Sequence, residues 1–216
     1  APGGGGAGEG GGGGAGISTS AGEVKVTADA GTIAVNENVA STGGGAITLT
    51  GTGTTSDIGV AAGKSVTSTN TTGASALTFN AGRTIVLGAG AVVGTTSGAT
   101  LSAGTFGTGT GTVTFNAGQA AAGNIALAGD SVVQSDTGAI GLNANGGTTS
   151  SIAMADVATT NAARVLSAGG AVTLSASTDF ANSLKKNEEI TLVDAETNQI
   201  MATMKVAEKY AMSKAD

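Results

Sequence analysis

The side chains able to do chemistry in this chain are few, and almost all of them act through oxygen. It has no His and no Cys, so it can supply no imidazole base, no thiolate, no disulfide and none of the usual zinc or haem ligands. What remains is a scatter of carboxylates, Asp29, Glu37, Asp57, Asp130, Asp136 and Asp156, among glycine runs and threonines. Carboxylates at turns can hold Ca²⁺, but calcium β-rolls repeat GGxGxD with a nine-residue period, and no such repeat occurs here. A carboxylate pair could cleave a glycosidic bond by acid and base catalysis, yet nothing in the spacing selects a pair. These acids therefore read as solvated turn residues. Gly51-Thr-Gly-Thr and Gly88-Ala-Gly lack the GxxxxGK pattern and lead into no helix, so they read as corner turns and not as phosphate loops. No residue is assigned a catalytic, cofactor-binding or metal-ligating role.

The threonines are more suggestive. Thr48, Thr50, Thr52 and Thr54, and again Thr108, Thr110, Thr112 and Thr114, alternate at strand spacing, which would set hydroxyls and methyls on one flat face. Such a face suits ice binding or lateral packing of copies, and it is also what any exposed strand prefers. The net charge of −6 and the 9 scattered Lys and Arg residues give no surface for nucleic acid. No apolar run approaches the roughly 20 residues of a membrane-spanning helix. The start, Ala1-Pro2-Gly3, suits an exported protein whose signal has been removed, and equally a chain cut for expression.

The elements that must carry these residues fall into three zones. Residues 1–16 are mostly Gly and read as a flexible arm. Residues 17–171 form a repeat domain of short apolar-polar-apolar triplets, such as Val24 to Val26, Ile33 to Val35, Ile58 to Val60, Ile85 to Leu87 and Ile125 to Leu127, set between clusters of Gly, Ser, Thr, Asn and Asp. Period two bounded by turn formers predicts short half-buried strands. The strings starting at Ala46, Ala76, Thr112, Ala139 and Ala171 are near-copies (AITLT, ALTFN, TVTFN, AIGLN, AVTLS). Two continue identically as Asn80-Ala-Gly and Asn116-Ala-Gly. A second apolar strand follows most of them, and often a third, as at Val66, Val92-Val93 and Val132-Val133. One repeat thus predicts one turn of a three-stranded parallel coil, with inward ladders of Ile, Val, Leu and Phe79/Phe115, and with Gly and Asn supplying left-handed corner conformations. A β-sandwich of the same strand count is the competing fold.

Over residues 17–174 this texture resembles the repeat regions of filamentous-haemagglutinin-like and autotransporter passenger proteins of bacteria. The resemblance implies a right-handed parallel β-helix, export to the cell surface, and a role as stalk, fibre or adhesin. Partners are then other copies, assembled through solenoid faces or ends, or an unidentified surface or polysaccharide.

Residues 172–216 differ in kind. The 39 glycines all lie at or before Gly170, while half of the charged residues follow it. A short helix is predicted over Asp179 to Lys186, then strands over Glu189 to Asp194 and Gln199 to Val206 joined by a turn at Asp194 to Asn198. The run from Val172 through Phe180-Ala-Asn-Ser-Leu-Lys-Lys-Asn-Glu-Glu-Ile-Thr-Leu-Val-Asp to Tyr210 resembles part of the N-terminal PUA-like domain of ATP sulfurylase. That family's QxRN segment and His pair have no counterpart here, so its chemistry transfers to no residue. The segment is expected either to cap the solenoid or to mark a fusion. Taken together, the expectation is an all-β chain, a parallel β-helix with a glycine-rich arm and a small helix-plus-hairpin tail, non-catalytic, extracellular, and without a cofactor.

Overall fold

The computed structural model describes residues 16–20, 22–69, 76–97, 101, 103–147, 149–155, 162–175, 189–193 and 200–205. The glycine-rich arm, Asp156, the helix expected over Asp179 to Lys186 and the turn at Asp194 to Asn198 lie outside these residues.

The chain coils through three parallel sheets, visiting each in turn. The first, sheet A, stacks β1 (Ile17–Thr19), β4 (Val39–Ser41), β7 (Ser65–Thr69), β10 (Val92–Thr96), β13 (Val132–Ser135) and β16 (Arg164–Ser167). Sheet B stacks β2 (Val24–Ala28), β5 (Ile47–Gly51), β8 (Ala76–Ala81), β11 (Thr112–Ala117), β14 (Ile140–Ala144) and β17 (Val172–Ser175). Sheet C stacks β3 (Ile33–Val35), β6 (Ile58–Val60), β9 (Ile85–Leu87), β12 (Ile125–Leu127) and β15 (Ile152–Met154). Every pairing within these sheets is parallel, and each strand bonds to its counterpart one turn along the chain. This is a parallel β-solenoid, and an antiparallel sandwich is excluded. β18 (Glu189–Val193) and β19 (Ile200–Lys205) form an antiparallel hairpin, within a residue of the strands expected from sequence.

The near-copied strings are the strands of sheet B in register: Ile47, Leu77, Val113, Ile140 and Val172 are mutual partners, as are Leu49, Phe79, Phe115, Leu142 and Leu174. The triplet Val24 to Val26, read as a strand from sequence, proves to be the first member of the same series, since β2 pairs with β5. Lys25 in place of Thr hides its kinship with the near-copies. Period-two alternation puts these apolar residues inside, and those from Ile47 to Leu142 are at most 1% exposed. Ile33, Ile58, Ile85 and Ile125 line sheet C in the same way, and Val39, Val66, Val93 and Val133 line sheet A. With no Trp in the chain, the widest layer of the core is the stacked pair Phe79 and Phe115, ring centroids 4.8 Å apart and 17° from coplanar.

One edge of the coil repeats a single turn three times in succession. Between sheets C and A, residues 61–64, 88–91 and 128–131 are equivalent four-residue turns, each closed by the fourth N–H on the first C=O (Lys64 to Ala61, Ala91 to Gly88, Ser131 to Ala128). The third residue takes positive φ: Gly63 and Gly90 at 67°, Asp130 at 61°. Asp130 is the one non-glycine residue with positive φ among those described, so Gly and an Asp, and not Asn, supply the left-handed corners.

Asn has other work. In the Asn-Ala-Gly strings the Asn points outward and forms a ladder, with Asn116 Nδ2 donating to Asn80 Oδ1 and Asn143 Nδ2 to Asn116 Oδ1, both at 2.8 Å. The Ala (Ala81, Ala117) points inward and is fully buried. The Gly begins the corner to sheet C, where a Cβ on Gly82 would lie 1.9 Å from the Gly53 carbonyl oxygen of the preceding turn.

Candidate functional site

No group of three or more metal-ligating side chains occurs among the described residues. Of the acids read from the sequence as solvated turn residues, Asp57, Glu37 and Asp136 make hydrogen bonds within the protein. Asp57 stands at the corner before β6 and accepts from Arg83 Nε (2.9 Å) and Arg83 Nη2 one turn along, and from the Thr84 amide (3.0 Å). The Arg83 hydrogen bond, outweighing partial burial, holds this carboxyl below the usual carboxylate range, with help from the Thr84 amide. Asn124 does the same without charge, accepting from the Ser151 amide at 2.9 Å. Glu37 pairs with Lys64 across successive turns at 2.9 Å. These side chains clip neighbouring turns together.

Asp136 is fully buried. The connection from β10 to β11 is long, and its described residues, 97, 101 and 103–111, lie as a strap on the outer face of sheet A. Asp136 Oδ2 accepts from the Ser97 amide (2.6 Å), the Ser97 hydroxyl (3.2 Å) and the Gly109 amide (3.2 Å). Gln134 holds the strap's middle, accepting from the Gly104 amide and donating to the Thr105 carbonyl, each at 2.8 Å. Burial raises the Asp136 pKa, but amide donors from Gly107, Ser97 and Gly109, with the Ser97 hydroxyl, outweigh it and leave the group below its ordinary value. Its other oxygen, Oδ1, is buried without a hydrogen-bond partner. Sequence could not distinguish Asp136 from the other turn acids, because its donors come from a segment whose path no local pattern fixes.

A second unforeseen feature is a column of inward hydroxyls in sheet A: Ser41, Ser68, Thr95 and Ser135 are at most 2% exposed. Ser68 donates to the Gly45 carbonyl (3.0 Å), Thr95 (2.9 Å) and Ser135 (2.6 Å) to that of Gly111, and Ser167 (3.0 Å) to that of Gly138. Each acceptor sits just ahead of a sheet B strand, where the chain turns and its carbonyl faces inward. The hydroxyls of Ser68, Thr95, Ser135 and Ser167 meet a need that an alkyl group would leave open, while Ser41 Oγ is buried without a partner. A sequence signal existed, the repeated Val-x-Ser/Thr at Val39, Val66, Val93, Val133 and Val165.

The outer faces differ from one another. On sheet B, Thr48, Thr78 and Thr114 align across turns, beside a row running Thr27, Thr50, Asn80, Asn116 and Asn143. Thr52, Thr54, Thr108 and Thr110 leave the strands for corners and the strap, so the along-strand arrays shrink to Thr48/Thr50 and Thr112/Thr114. On sheet C the outward residues are Ala34, Gly59, Val86, Ala126 and Ala153, flat and uncharged. Sheet A is covered by the strap where Gly94, Thr96 and Gln134 are buried. At the N-terminal end, Ile17, Val26, Ile33, Val35, Val39 and Leu49 line an open cavity of about 310 Å³, the mouth of the coil.

No helix among the described residues is long and apolar enough to cross a membrane. No protein-family profile and no solved structure matches the chain. Two curated relatives do, over a short stretch: a sulfate adenylyltransferase of Syntrophobacter fumaroxidans, 54% identical over 43 residues, and one of Desulfatibacillum aliphaticivorans, 53% identical over 45 residues. The matches take in 20% and 21% of this chain and 10% and 11% of the relatives' lengths, so what is similar to sulfate adenylyltransferase is a fragment of each protein and not the whole of either.

Proposed function

We propose that this chain is a non-catalytic, self-associating subunit of an extracellular β-helical fibre or adhesin. The observation that carries the reading is how the chemistry-bearing side chains of the coil are used. Asp57, Glu37 and Asn124 join neighbouring turns, Asp136 and Gln134 pin the strap, and the inward hydroxyls serve corner carbonyls. Among the described residues, these are groups that an enzyme would leave free to meet substrate, and here they are engaged with the protein itself. A coil of this build gains stability from each turn stacked on the next, which suits an elongated scaffold. Electron microscopy and sedimentation of the purified full chain test the reading. Filaments or concentration-dependent oligomers support it, and monodisperse monomers at every concentration count against it.

The sulfate adenylyltransferase matches favour a second reading, in which the C-terminal segment is a fragment shared with that family and fused to the solenoid. No turnover is expected in a sulfate-adenylylation assay of the full chain. Measurable turnover would overturn the non-catalytic reading.

A further inference from the structure

The two ends of the coil carry matching ladders. At one end, among the described residues, the free edges of β1, β2 and β3 surround the open cavity. At the other, β15, β16 and β17 end their sheets, and the inward residues of β17, Val172 and Leu174, are 42% and 51% exposed although their partners Ile140 and Leu142 are fully buried. If a second copy is set on this end with the same register, Val172 meets Val24 and Leu174 meets Val26, continuing sheet B. Sheet C brings Ile152 to Ile33 and Met154 to Val35. Sheet A brings Val165 to Ile17, and Ser167 to Thr19, so the hydroxyl column continues opposite a hydroxyl. All six inward positions match in kind, apolar on apolar and hydroxyl on hydroxyl, and no two like charges fall opposite each other on these strands.

We infer that copies of this chain stack head to tail, the last turn of one copy pairing with the first turn of the next, so that all three sheets run through the junction. The inference rests on the self-associating reading above and names its contact. A turn of about 25 residues, each covering about 3.3 Å along the strand by about 10 Å across, presents on the order of 800 Å² per partner, the size of a standard stable interface. Free strand edges supply backbone donors and acceptors along the same contact. The contact is heterologous, since different surfaces of the two copies meet, and repetition with the small turn of the coil gives an open filament and not a closed dimer.

The test blocks one end at a time in the full chain. Val26→Asp places a carboxylate at the mouth, and Leu174→Asp places one at the opposite end. The unmodified chain should associate with rising concentration. Each variant alone should sediment as a monomer, and an equimolar mixture should form a 1:1 dimer of twice 20.1 kDa, because each variant retains the end the other lacks. Variants that associate alone as the unmodified chain does would overturn the stacking while leaving a laterally packed fibre standing. Two monomers that fail to pair on mixing would also overturn it. An unmodified chain that stays monomeric at every concentration overturns the self-associating reading together with the junction. Far-UV circular dichroism checks that the variants fold, and the pair Val26→Lys and Leu174→Lys, mixed in the same way, replaces any that do not.

Discussion

Replacing Asp136 with Ala should release the strap without unwinding the coil beneath it. The carboxylate takes one short and two longer hydrogen bonds on Oδ2, at 2.6, 3.2 and 3.2 Å. Hydrogen bonds to a charged group are worth about 1.5–3 kcal/mol each, and the long ones fall at the bottom of that range or below it. Against this stands the cost of burying a charge whose Oδ1 has no donor, itself several kcal/mol. Removing the carboxylate also strands the Ser97 and Gly109 amides, at about 1–3 kcal/mol apiece if they stay buried. The loss nets to about 3 kcal/mol, confined to the strap because solenoid turns open locally. Hydrogen exchange at the Ser97, Gly104 and Gly109 amides measures this directly, and roughly a hundredfold loss of protection is expected at pH 7. The sign of the pH dependence follows from the folded pKa lying below the unfolded value of about 3.9. The ionised group's contribution is fully present above that value and is lost as the pH falls through the folded pKa, so the gap between wild type and Asp136→Ala must narrow in strong acid. The strap residues 97–111 contain no other ionisable group, which makes the titration specific. A gap that is the same at pH 3 and at pH 7, or strap amides that exchange equally in both proteins, would refute the assignment of Asp136 as the pin.

Two further substitutions probe the coil itself. Gly63→Ala meets no neighbouring atom within 4 Å, so only its φ of 67° resists the change, at about 1–2 kcal/mol, and Gly63→Asn should restore part of that. Gly88→Ala places its Cβ 2.6 Å from the Ala62 backbone nitrogen, so it should cost more and Asn should not rescue it; urea midpoints for the four variants rank them. In the core, Phe79→Leu and Phe115→Leu should be sub-additive by about 0.5–1.5 kcal/mol, the value of the ring stack, and strictly additive unfolding free energies would deny that the stack contributes.

Which features sequence revealed, and which it hid, follows from how far each depends on distant chain. Strands of sheets B and C were legible because alternation is local and their near-copies fall one turn apart, as at Leu77 and Val113. Val24 to Val26 was legible as a strand by the same alternation, but its place at the head of the sheet B series was not, because Lys25 breaks the Thr pattern at a position that the fold exposes anyway. The inward serines went unmarked for a different reason. A Ser on a strand ordinarily faces water, and only the corner carbonyls of Gly45, Gly111 and Gly138 make an inward hydroxyl favourable. Asp136 and the strap lay beyond reach, since residues 97–111 acquire their path from Gln134 and Asp136 of the following turn.

The repeated turn between sheets C and A has a consequence for how such a chain can grow. The three central turns there are the same length, and only the connections at 36–38 and 155–163 next to the ends depart from it, while the sheet A to sheet B connections range in the middle of the coil from residues 136–139 to the strap at 97–111. One edge therefore acts as the spine of a bound book, setting the spacing of the pages, and the other edges are free margins. Length can be added at a margin without shifting a neighbouring page, and a whole page can be duplicated at the spine. That arrangement lets a lineage, or an engineer, write new surface onto the molecule while its thickness per turn stays fixed.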